Sequence, residues 1–149
     1  MRKVARGVAE RVDLFLIAGD LFDSNVQPRR LVERVTTELG RLTSARIRTV
    51  IVPGLNDLSD SASIYAAYNL RSMLKLGAAS DLLTILDPEH PTVEFSGLDV
   101  AVHTQVFTTK RAPASPLSAI RVIPGGKPTW NIGVLHGSLL VPGRVEDDD

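Results

Sequence analysis

The chain has 149 residues, 44% of them apolar, a composition that suits one globular domain with a real core and excludes a disordered polymer. Seventeen basic residues balance seventeen acidic ones, so no net field draws the chain toward nucleic acid or an anionic membrane. There is no cysteine, which excludes disulfides, thiolate metal sites and a cysteine nucleophile, and fits a reducing cytoplasm.

The basic start Met1-Arg2-Lys3 is not followed by a signal-peptide core, because Arg6, Glu10, Arg11 and Asp13 interrupt the segment and the apolar run Leu14–Ala18 is too short to cross a bilayer. The expectation is a soluble, cytoplasmic protein. Val4, Val8 and Val12 recur at helical spacing, which predicts an amphipathic helix over residues 2–11. Leu14–Ala18 is unbroken and apolar, as in a strand covered on both faces of a parallel sheet. Pro28 fits the first turn of a second helix, whose stripe is Leu31, Val35, Leu39 and Leu42 and which reaches about Ala45. A strand over 47–52 follows, completing a right-handed βαβ unit.

Ser61 or Ser63 is placed to cap a third helix running through Ile64, Tyr65, Tyr68, Leu70 and Leu74 to Gly77. Short strands are expected over 82–86, 92–95 and 98–103, separated by Asp87-Pro88 and Ser96-Gly97. The prolines and glycines of 104–129 predict a long irregular loop with at most a short helix near 117–121, and a last strand occupies 130–135. This alternation defines an α/β domain.

Three polar clusters each follow a strand: Gly19-Asp20-Leu21-Phe22-Asp23, Pro53-Gly54-Leu55-Asn56-Asp57 and Leu135-His136-Gly137-Ser138. Ligands of open α/β sheets bind beyond the carboxyl ends of the strands, so the three loops are expected to converge. Oxygen and imidazole donors without thiolate suit Mn, Fe or Zn, and a metal pair of that kind serves phosphate-ester hydrolysis.

Gly19-Asp20-Leu21-Phe22-Asp23, the Pro-Gly-x-x-Asp turn at 53–57 and Leu135-His136-Gly137-Ser138 together resemble the calcineurin-like metallophosphoesterases, and among them bacterial DNA-repair exonucleases of the SbcD type. The resemblance spans nearly the whole chain and implies a layered α/β sandwich. It implies that Asp20 bridges two Mn ions and His136 binds the second. It also implies phosphodiester hydrolysis at DNA ends, an SbcC-type ATPase partner and a homodimer. The family's middle motif reads Gly-Asn-His, with Asn as ligand and His on the substrate phosphate; here Gly54-Leu55-Asn56-Asp57 stands in its place. Leu55 cannot ligate and Asn56 cannot donate a proton as imidazolium does, although a shifted loop lets Asn56 coordinate. The family's opening Asp-x-His would precede residue 1 and its closing Gly-His-x-His would follow residue 149, so the chain reads as a fragment with an incomplete site and an unpaired sheet edge. A competing expectation is a non-catalytic phosphoesterase-like module for binding or protein contacts.

The other polar residues have plainer roles. Asp23, Ser24 and Asn25 suit turns or caps before Pro28, and Asp57 either holds its loop behind the ligands or serves as a turn residue. His103 reads as a satisfied strand histidine and His90 as exposed. Lys110-Arg111 reads as loop solvation, Tyr65 and Tyr68 as helix packing, and the acidic run 146–149 as a solvated end.

Overall fold

The computed structural model describes residues 2–77, 80–110, 115–121 and 125–136, and it is a mixed α/β structure with two three-stranded sheets. Helix α1 (Arg2–Glu10) leads into β1 (Leu14–Ala18), helix α2 (Arg29–Ser44) and β2 (Arg48–Val52). After the short helices α3 (Ile64–Ala67) and α4 (Leu70–Met73), β3 (Leu83–Ile85) completes a parallel sheet in the order β1-β2-β3. The second sheet is mixed: β4 (Thr92–Phe95) runs antiparallel to β5 (Val100–His103), which runs parallel to β6 (Trp130–Gly133). No described helix is long and apolar enough to cross a membrane.

The parallel sheet is covered on both faces by virtue of its two-residue side-chain period. Phe15, Ile17, Ile51 and Leu83 meet the helices through Val32, Leu39, Leu42, Ile64 and Leu70. Leu14, Leu16, Val50 and Val52 point the other way, to Phe95, Val102, Val106 and Val134 of the second sheet and its flanking loops. β2 lies in the middle and is buried from Thr49 onward, whereas β1 is only half-buried because it is an edge strand among the described residues. Each fully buried Val or Ile contributes about 1.5–3 kcal/mol.

The βαβ unit has the parallel pairing that the pattern predicted, with β1 and β2 in register from Leu14↔Arg48 to Ala18↔Val52. Four local details differ. Pro28 is the N-cap of α2 and not part of its first turn. The buried face of α2 is Val32, Thr36, Leu39 and Leu42, while Leu31 and Val35 are half-buried beside α1. Thr36 enters the core because its hydroxyl donates to Val32 O at 2.8 Å, leaving it satisfied. The expected third helix is two helices: Tyr68 turns extended at φ −124°, ψ 113°, and the Asn69 side chain then accepts from Ser72 N to start α4. Finally, the last strand ends at Gly133 and pairs with β5, so it belongs to the second sheet and not to the one holding β1 and β2.

Candidate functional site

Two consecutive residues turn the chain sharply at the end of β1. Gly19 has φ 77° and Asp20 has φ 53°, left-handed backbone that glycine adopts freely and aspartate tolerates. The turn aims the backbone N–H groups of Asp20, Leu21 and Phe22 at one point, a concave nest of the kind that binds anions. The anion is the protein's own: Asp57 Oδ1 accepts from Asp20 N at 3.2 Å, and Oδ2 accepts from Leu21 N at 2.9 Å and Phe22 N at 3.3 Å. Gly54 N donates to the same carboxylate at 2.6 Å and the Tyr65 hydroxyl at 2.5 Å. Asp57 is fully buried, so these five donors replace its water.

Asp57 thereby locks the loop after β1 to the loop after β2. Tyr65, just inside the Ser63-capped start of α3, packs edge-on against Phe22 with ring centroids 5.9 Å apart while its hydroxyl reaches Asp57. Burial pushes the Tyr65 hydroxyl far above its ordinary range, and the charges of Asp57 and Asp20 and the hydrogen bond to Asp57 push it the same way. Asn25 adds a second tie, donating to Leu58 O at 3.1 Å and accepting from Ile64 N at 3.0 Å. It is a long-range brace, not the local cap or turn residue its position suggested. Ser24 does make a local turn, donating to Val26 O at 2.9 Å, and Asp23 is exposed without a side-chain hydrogen bond among the described residues.

On the outer side of this junction stand Asp20, Asn56 and His136. Asp20 Oδ1 accepts from Asn56 N at 2.9 Å and Oδ2 from Asn56 Nδ2 at 3.2 Å, while His136 Nε2 lies 3.6 Å from Asp20 Oδ2. The side chains of His136 and Asp20 keep 25% and 31% of their surface open, so solvent and ligands can reach them. The approach is close enough to require glycine at two places. A Cβ on Gly19 would collide with His136 Nδ1, and one on Gly54 would collide with the Asp20 carboxylate and lie 2.5 Å from Asp20 N.

The three residues singled out for metal are thus side by side, although His136 arrives from β6 of the second sheet. Two ligands held 2.0–2.2 Å from one ion stand about 3.0–3.5 Å apart at right to tetrahedral angles. The Asp20 to His136 spacing of 3.6 Å is near that range, and the Asn56 amide fits if it turns to present Oδ1 in place of Nδ2. Among the described residues no three His, Asp or Glu side chains gather closely enough to hold a metal ion, so an ion at Asp20 and His136 would have to draw on the Asn56 amide as well.

The remaining histidines are occupied elsewhere. His103 bridges Thr92 Oγ1 at 3.1 Å and Asn131 Oδ1 at 2.8 Å across its sheet, and exposed His90 closes a turn on Asp87 at 3.1 Å. Lys110 is exposed; Arg111, Gly137, Ser138 and the acidic run 146–149 lie outside the described residues. Sequence reasoning missed Tyr65 as a polar partner, since nothing local distinguishes it from a packing tyrosine. No protein-family model matches the chain, and no curated protein matches it either.

Proposed function

We propose that the chain carries a phosphoesterase-type divalent-metal site in which Asp20, His136 and Asn56 hold one ion, Mn in the first instance. The observation that carries this reading is the meeting of a carboxylate, an imidazole and an amide, drawn from three strand-end loops, at one partly open point. A bound ion there would supply Lewis acidity to a phosphoryl oxygen and a bound water of lowered pKa. The chain's own residues do the rest. Asp57, held by five donors, fixes the backbone that presents Asp20, and the Asn56 backbone N–H orients one Asp20 oxygen so that the other faces His136.

The arrangement of helices on one face of the parallel sheet and strands on the other supports a layered sandwich of the metallophosphoesterase type. In this reading the substrate is a phosphodiester at a DNA end, the site is of the exonuclease kind, and an SbcC-type ATPase and a second copy of the chain are the partners, in the cytoplasm. A non-catalytic phosphoesterase-like module is the second reading. It is favoured by Leu55 at a position that ligates in the family and by the lack, among the described residues, of a third His, Asp or Glu beside Asp20 and His136.

Calorimetric titration of Mn into the purified chain, beside Asp20→Ala and His136→Ala, tests the metal site. The expected result is one saturable event that either substitution abolishes. A folded chain that binds no Mn would refute the site. Binding without phosphodiesterase turnover would select the module.

A further inference from the structure

At the opposite end of the parallel sheet, α1 and α2 finish side by side and hand the chain to β1 and β2. Both close in the same manner. Val12 N donates to Gly7 O and Arg11 N to Val8 O; Ile47 N donates to Leu42 O and Arg46 N to Thr43 O. Paired bonds of this type place one residue in left-handed backbone, where glycine is the usual occupant because a Cβ crowds the carbonyl. Here both places hold arginine, Arg11 at φ 52° and Arg46 at φ 58°, and α4 closes in the same way on Lys75 at φ 57°. The helix macrodipole favours a cation near each C-terminus, but any residue of the last turn can provide one in unstrained right-handed backbone. The dipole therefore does not account for the strain.

What sets Arg11 and Arg46 apart from Lys75 is a shared cleft of about 310 Å³, lined by Arg11, Arg46 and Asp13 with an apolar wall of Val8, Val12 and Ile47. Both arginines are exposed, and neither pairs with a carboxylate among the described residues. Arg6, Arg29, Arg41 and Arg48 each do, with Glu10, Glu33, Glu38 and Asp81. Two arginines that line one cleft and are unpaired among the described residues can offer it planar guanidiniums, which suit an oxyanion that accepts forked hydrogen bonds, and a phosphate dianion matches their summed charge. Asp13 weakens any bare anion, so the ligand must bring a donor for its carboxylate as well as a phosphate.

We propose that this cleft binds the phosphomonoester of a hydroxylated sugar, with Arg11 and Arg46 on the phosphate, Asp13 accepting from a sugar hydroxyl, and the valine and isoleucine wall against the carbon face. The volume is at the small end for ligand clefts and holds one such unit. The site is independent of Asp20 and His136.

The test is calorimetry with ribose 5-phosphate, ribose and inorganic phosphate as separate titrants, in EDTA so that a metal at Asp20 does not contribute. Ribose 5-phosphate is expected to bind saturably and more tightly than inorganic phosphate, and ribose not at all. Arg11→Gly and Arg46→Gly should each weaken binding by about tenfold or more, as loss of a guanidinium–phosphate contact does. Their melting temperatures should hold or rise, because glycine relieves the left-handed backbone. Asp13→Asn should narrow the preference for the sugar phosphate over inorganic phosphate. A folded wild type that binds no ribose 5-phosphate would overturn the proposal, as would binding that both glycine substitutions leave intact. Equal affinity for ribose 5-phosphate and inorganic phosphate would overturn the sugar contact and the role of Asp13.

Discussion

Asp57 and Asp20 stand on the inner and outer sides of one junction, yet the chain treats the two carboxylates in opposite ways. Asp57 is fully buried and receives four backbone N–H groups and a tyrosine hydroxyl. Asp20 is partly open, with one neighbouring asparagine and a histidine at ion-pair distance. A buried acid with every lone pair engaged has no capacity left for a ligand and acts through what it holds in place. A half-open acid beside a histidine retains that capacity. The difference separates a residue that builds the site from residues that can use it.

Breaking the inner side should cost most. Asp57→Ala strands four backbone donors and the Tyr65 hydroxyl, and the expected loss is about 3–4 kcal/mol. A fall in the denaturation midpoint at unchanged slope would measure it. Tyr65→Phe removes one donor to a charged acceptor and should cost about 1.5–2 kcal/mol near neutral pH. That cost depends on pH in a defined direction. Burial foremost, then the adjacent carboxylates, raises the folded-state pKa of Tyr65 above its ordinary 10.0, so its contribution is fully present below pH 10 and is lost as pH rises from there. The gap between wild type and Tyr65→Phe should therefore stay constant from pH 7 to 9 and shrink by about 1.4 kcal/mol at pH 11. Equal alkaline limbs in the two proteins would contradict the buried hydroxyl. On the outer side Asp20→Ala should change stability by only about 0.5 kcal/mol, the scale of a partly exposed pair. If it instead destabilised as much as Asp57→Ala, the division between the two carboxylates would fail.

Much of the first half was legible because its signals are local. The unbroken run Leu14–Ala18, the helical spacing of Val4 and Val8, and the Pro-Gly stop after Val52 each report their own neighbourhood, and the βαβ unit follows from them. The split of α3 from α4 was hidden because Asn69 sits within an otherwise continuous apolar pattern, and only its capping bond shows that a new helix begins. The assignment of β6 to a second sheet could not be read either, since strand periodicity reveals a pleat and not a partner. In the site, Asp20, Asn56 and His136 were visible as strand-end residues. The five-donor clamp on Asp57 was not, because its members come from positions 20–22, 54 and 65 and meet only when β1, β2 and α3 are in place.

The position of β2 governs how the protein opens. Ile51 faces the helices while Val50 and Val52 face the second sheet, so one strand is a wall of both cores. Stripping away either the helices or the second sheet would bare a strand still pinned from behind, which leaves no inexpensive way to lose half the molecule. Amide hydrogens of 50–52 should accordingly exchange only through global unfolding, at one shared rate, while α1 and the loop beside Trp130 exchange through smaller excursions.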